Sequence, residues 1–137
     1  MRYRRSSFRY AAVVPAGQAW LLSEPWPLDR LRLLLQGRWQ PDADTYETAT
    51  TIEILVDLAG VDEDHFEVQL FEDALVVQGR RQLPSGPAGA LYLVARIRQG
   101  PFALAVPLPA PVDPDRVEAR YERGLLHITL DKRAGGV

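Results

Sequence analysis

The run "TIEILVDLAGVDEDHFEVQLFEDALVVQG", residues 51–79, decides the fold. Ile52, Ile54, Val56 and Leu58 fall at every second position, the period of a strand with one buried face. Ala59-Gly60 breaks the alternation. Phe66, Val68 and Leu70 then share a face, with Glu67 and Gln69 opposite. Glu72-Asp73 is turn-like, and "ALVVQG" reads as a short buried strand ending at Gly79.

The same punctuation continues toward the C-terminus. "LPSGPAG", residues 83–89, is a Pro/Gly-rich loop. "ALYLVARIRQG" and "FALAVPL" resume extended character, and "PAPVDPD" marks another turn region. "RVEARY" and "LLHITL" close the chain, with Leu126, Ile128 and Leu130 on one face. Gly124 sits between these last two runs, where a tight hairpin needs a backbone with φ > 0. Short strands at regular spacing, each bounded by turn residues, predict an all-β, immunoglobulin-like antiparallel β-sandwich.

Residues 1–40 differ and read as an N-terminal arm, partly helical or disordered. "WPLDRLRLLLQGRW" has a short helix pattern: Pro27 suits the first turn, Leu28, Leu31, Leu34 and Leu35 share a face, and Gly37 can end it. A helix this short is marginal alone in water. It needs a partner surface, on its own domain or on other chains.

Bulk properties exclude several functions. Of the 137 residues, 47% are apolar, enough for a buried core. A net charge of −2 gives no global electrostatic case for nucleic acid or an anionic membrane. With Cys 0, thiol nucleophiles and cysteine-zinc sites are ruled out. Arg4-Arg5 invites comparison with an export signal, but the apolar stretch Ala11 to Ala16 contains Pro15. A secretory core runs to about 7–15 apolar residues, so a cytoplasmic protein is expected. The histidines, His65 and His127, lack ligand partners at helical or strand spacing, so no metal and no cofactor are expected. Ser6, Ser7, Ser23 and Ser85 lie outside any nucleophile-elbow context, and no Walker loop is present. No enzyme is expected.

"VDLAGVDEDHFEVQLFEDALVVQGRR" resembles the first half of the α-crystallin domain of small heat shock proteins. "QGPFALAVPLPAPVDPDRVEARYERGLLHITLDK" resembles its second half, with Ala119, Tyr121, Gly124, Leu126 and Ile128 matching the last hairpin. The likeness covers residues 41–132. It implies an ATP-independent chaperone that holds partly unfolded client proteins through apolar surface, binding no nucleic acid and no membrane. The client-binding candidates are Phe8, Tyr10, Trp20, Leu21, Leu22, Trp26, Leu28, Leu31, Leu34 and Leu35 in the arm. A groove between the strands matching "FEVQL" and "RVEARY" adds Val68, Leu70, Val117 and Ala119. The resemblance also implies a homodimer, extending at most to a modest oligomer, in which Leu91, Tyr92, Leu93 and Val94 form a strand exchanged onto "DTYETA" of a second copy. A related use of the same sandwich is a CS-like module that binds a folded partner.

Three departures stand out. Residues 133–137 carry no I-x-I motif of the kind that plugs a neighbour's groove in the family. Ile97 stands where an arginine supports inter-subunit ion pairs, leaving Arg96 or Arg98 as substitutes. "FALAVPLP" is more apolar than usual, so that strand is expected to be covered by the arm or to present an extra apolar surface.

Overall fold

The computed structural model describes residues 35–133. Its elements are β1 (Ala43–Glu47), β2 (Thr51–Asp57), a 3-10 turn (Glu63–His65), β3 (Phe66–Leu70), β4 (Ala74–Arg81), β5 (Gly100–Pro107), β6 (Val112–Glu122) and β7 (Leu125–Lys132). They form a four-stranded sheet in the order β1-β2-β7-β6 and a three-stranded sheet in the order β3-β4-β5. All pairings between these strands are antiparallel.

The alternating residues decide which way each strand faces. Ile52, Ile54 and Val56 of β2 pair in register with Leu130, Ile128 and Leu126 of β7, and all six are closed to water. Phe66, Val68 and Leu70 of β3, Leu75 and Val77 of β4, and Phe102 and Val106 of β5 supply the facing layer. The shared cluster makes the two sheets one sandwich. At about 25 cal/mol per Å2 of apolar surface removed from water, this interface is the main stabilising term.

The ends are fixed by particular residues. Gly124 has φ +80°, and a side chain there would meet the Ala59 backbone at 2.7 Å, so the hairpin that closes β6 onto β7 requires glycine. Tyr121 reaches across the sandwich edge, its hydroxyl 2.7 Å from the Leu58 carbonyl and 2.6 Å from that of Val61. It thereby ties β6 to the crossover from β2 to β3. Phe66 meets the Tyr121 ring edge-on, 5.1 Å between centroids.

Two regions differ from the sequence expectation. "ALYLVARIRQG" carries no strand before Gly100, and none of the described strands lies alongside it to pair. Trp39, within the stretch 1–40 read as the arm, packs on the core: it bridges in parallel to Phe102, with ring centroids 5.3 Å apart. Leu35 is helical and Gly37 has φ +70°, the left-handed turn expected after a helix.

Candidate interaction edges

A sandwich of two open sheets has exposed strand edges, and an edge presents unpaired backbone donors and acceptors. β1 and β6 are the edges of the larger sheet; β3 and β5 are those of the smaller one. Every residue of β1 is exposed; its acidic side chains are Asp44 and Glu47, and Asp42 just precedes the strand. Glu47 receives Lys132 Nζ at 2.8 Å.

The loop 82–99 rises from the opposite sheet. Leu91, Tyr92, Leu93, Val94 and Ile97 are all exposed in it, with Leu91 at 82% and Leu93 at 88%. A run of exposed aliphatic side chains this dense is unusual on a soluble surface. The Tyr92 hydroxyl accepts a hydrogen bond from the Gly86 amide at 3.2 Å, folding the Pro/Gly-rich half back on the apolar half.

Sequence reasoning did not find what holds the loop's base. Arg81 donates from Nε and Nη2 to the Arg98 carbonyl at 2.9 and 2.6 Å, and from Nη1 to the Ala59 carbonyl at 3.2 Å. Its guanidinium stacks 4.4 Å from the centre of the Trp39 ring, whose Nε1 donates to the Gly100 carbonyl at 3.2 Å. The double arginine after Gly79 was the available signal, but nothing local distinguishes Arg81 from Arg80. Arg98 therefore contributes a backbone carbonyl here, while Ile97 is left exposed.

Val68, Leu70, Val117 and Ala119 are all buried and belong to the core between the sheets. A cleft of about 400 Å3 does open at one end of the β3 and β6 edges, lined by Leu70, Phe71, Pro111, Val112, Pro114 and Arg133. Of the four expected groove residues, Leu70 reaches it. Val68, Val117 and Ala119 alternate as an open face would, but the opposite sheet covers them. Phe8, Tyr10, Trp20, Leu21, Leu22, Trp26, Leu28, Leu31 and Leu34 lie outside the described residues; Leu35 is half-buried.

The outer face of the larger sheet holds a polar group. Glu53 accepts hydrogen bonds from His127 Nε2 and Thr129 Oγ1, each at 2.8 Å. Arg120 Nη2 lies 3.2 Å from His127 Nδ1. Arg120 is a fixed donor, so His127 accepts at Nδ1 and donates from Nε2. Burial alone would push the Glu53 carboxyl up. Hydrogen bonds from Thr51, Thr129 and His127 outweigh it and hold the carboxyl below its usual 4.5. The cluster satisfies its own hydrogen bonds. Among the described residues no group of three or more His, Asp or Glu could hold a metal ion, and no helix is long and apolar enough to cross a membrane.

A two-sheet antiparallel sandwich with an exposed apolar loop and open edges defines the class of fold. The match to known families is direct: residues 44–136 fit the Hsp20/alpha crystallin family, and the chain belongs to it. It is 32% identical over 111 residues to the probable 15 kDa heat shock protein of Leptospira interrogans, covering 81% of this chain and 80% of that one. Small heat shock protein C2 of Rickettsia felis is 28% identical over 96 residues, covering 70% of this chain and 62% of its own length. A small heat-shock protein from Xylella fastidiosa, described as having a distinct high order structure, superposes with a TM-score of 0.63 at 30% identity over 72% of this chain and 90% of that one.

Proposed function

We propose that this chain is an ATP-independent holdase that acts in the cytoplasm, binding partly unfolded proteins and suppressing their aggregation, without a cofactor and without catalysis. The observation that carries the reading is the concentration of exposed aliphatic surface between Leu91 and Ile97, on a fold of the small heat shock family. Unfolding clients expose apolar patches and strand edges, and a holder must offer surface of the same kind. In the same reading, Leu91 to Val94 add as a strand to β1 of a second copy, making the dimer the basic unit. The exposed, unpaired edge of β1 supports this.

The test uses the full chain with a heat-labile client, following light scattering without nucleotide. Suppression near one chain per client is expected. Leu91→Asp with Leu93→Asp should reduce the mass measured in solution to that of a monomer. Unchanged client scattering in the presence of the wild-type chain overturns the holdase reading. An unchanged mass for the double variant overturns the exchanged strand.

A further inference from the structure

The smaller sheet has a face that the core does not use. In β4, Leu75 and Val77 point into the sandwich, so Ala74 and Val76 point away from it. In β5, Phe102 and Val106 point in, so Ala103 and Ala105 point away. Register puts Val76 between Gln69 of β3 and Ala105 of β5, and Ala103 beside Gln78. Val76 and Ala103 are nevertheless 0% exposed. Gln78 donates to Gln69 at 3.2 Å, so this amide pair flanks Val76 on the β3 side only, and the alanines at 74 and 105 are too small to close the rest of the valine on an open sheet. On the outer face of the larger sheet, the aliphatic Leu125 is 42% exposed. Something lies over β4 and β5.

The path of the chain says what. Trp39 joins the β5 edge, its amide donating to the Pro101 carbonyl at 3.2 Å and its carbonyl accepting from the Ala103 amide at 3.0 Å. Trp39 faces the core, and the preceding Arg38 lies on the outer side, where it lines a hollow of about 490 Å3 with Glu67, Gln78, Arg80 and Pro101. The chain therefore reaches the β5 edge from the outer face. Leu35 is four residues earlier, within about 14 Å of Trp39. The residues before it carry the stripe Leu28, Leu31, Leu34 and Leu35. Three strands about 4.8 Å apart make a seat about 10 Å across, the width of one helix.

We propose that the outer face of β3-β4-β5, centred on Val76, Ala103 and Ala105, is the docking surface for the Leu28–Leu35 stripe of the same chain. The small alanines let a helix approach closely, and the stripe gains the partner surface it needs. Each apolar surface hides the other, so displacing the stripe exposes both together.

The chain has Cys 0, so introduced cysteines report without background. Leu31→Cys with Ala105→Cys, oxidised at low concentration, should form a disulfide within one chain. Leu31→Cys with Leu125→Cys, on the opposite face, should not. Equal intrachain yields, or links between chains only, overturn the proposal. A second readout avoids the bond: Ala105→Cys should react with a water-soluble thiol reagent about tenfold faster when Leu28, Leu31 and Leu34 are changed to Ser. An unchanged rate also overturns it.

Discussion

Glu53 on β2 and Val76 on β4 occupy comparable places, mid-strand with the side chain turned away from the core, and both are nearly closed to water. Their closure has different origins. Glu53 is closed by its own sheet: Thr129 and His127 on β7 give it hydrogen bonds, and Arg120 on β6 continues the chain of partners. Val76 has Gln69 and Ala105 beside it across the sheet, Ala74 and Gln78 along its own strand, and no polar group to satisfy; Gln78 donates to Gln69 at 3.2 Å, so these two amides bind each other rather than the valine. A buried carboxylate is secured by neighbours in its own plane, whereas a buried valine on a sheet face depends on what lies above. The larger sheet's outer face is thus finished, and the smaller sheet's is completed from outside.

The comparison breaks most readily by placing one charge on each face. Val76→Asp puts an unpaired carboxylate at a closed position and should cost about 3 kcal/mol or more. Leu125→Asp, at a half-open position on the larger sheet, should stay within about 0.5 kcal/mol. Urea denaturation followed by far-UV circular dichroism measures both. Equal losses would mean that the two faces do not differ.

A smaller effect tests whether the two faces are held by one scaffold. Tyr121→Phe keeps the ring against Phe66 but removes the hydroxyl shared by the Leu58 and Val61 carbonyls. The loss should be about 1–2 kcal/mol, since at least one buried carbonyl is left unpaired. Burial pushes the Tyr121 phenol above its usual 10.0, opposed by the hydrogen bond to Val61 and aided by nearby Asp62, Glu63 and Asp57. A raised value favours the neutral phenol in the folded state. The contribution is therefore full below pH 10 and lost as the pH rises through the folded value. A wild-type advantage that persists unchanged in strong alkali would refute this link.

The alternating faces of β2, β3 and β7 and the glycine at the last hairpin were legible, because each is a local pattern with period two or a local backbone need. What covers a face is not local. Val117 and Ala119 alternate with Tyr121 as either a groove or a core would, and the opposite sheet decides for core. "ALVVQG" reads as buried on both faces, which matches Ala74 to Val77, but nothing in it names the cover over Val76. Leu91 to Val94 have strand composition, yet among the described residues no strand pairs with them. Arg81 on Trp39 and His127 on Glu53 join residues far apart in sequence, through pairings that no single stretch encodes. His127 alternates with Leu126 and Ile128 and so faces away from the core, but its carboxylate partner came only with the β2–β7 register.

The smallest expected effect sharpens the self-closed side of the comparison. Glu53→Gln keeps the shape but replaces charge-assisted hydrogen bonds with neutral ones, a loss of about 1 kcal/mol at neutral pH. The folded carboxyl lies below its usual 4.5, so the charged form is the one the fold favours. Its contribution is then present above pH 4.5 and lost as the pH falls through the folded value. Denaturation midpoints of the two chains should differ at pH 7 and converge in acid. The other charged and titratable groups on this face are Asp44 and Tyr46 of β1, Asp57 of β2, Arg116, Glu118, Arg120 and Glu122 of β6, and His127 and Asp131 of β7. All of them are common to both chains, so a difference between the chains originates at Glu53 and the groups bonded to it. A gap between the chains that stays constant from pH 7 into acid would show that Glu53 is held by shape alone, and the two outer faces would then be closed by the same means.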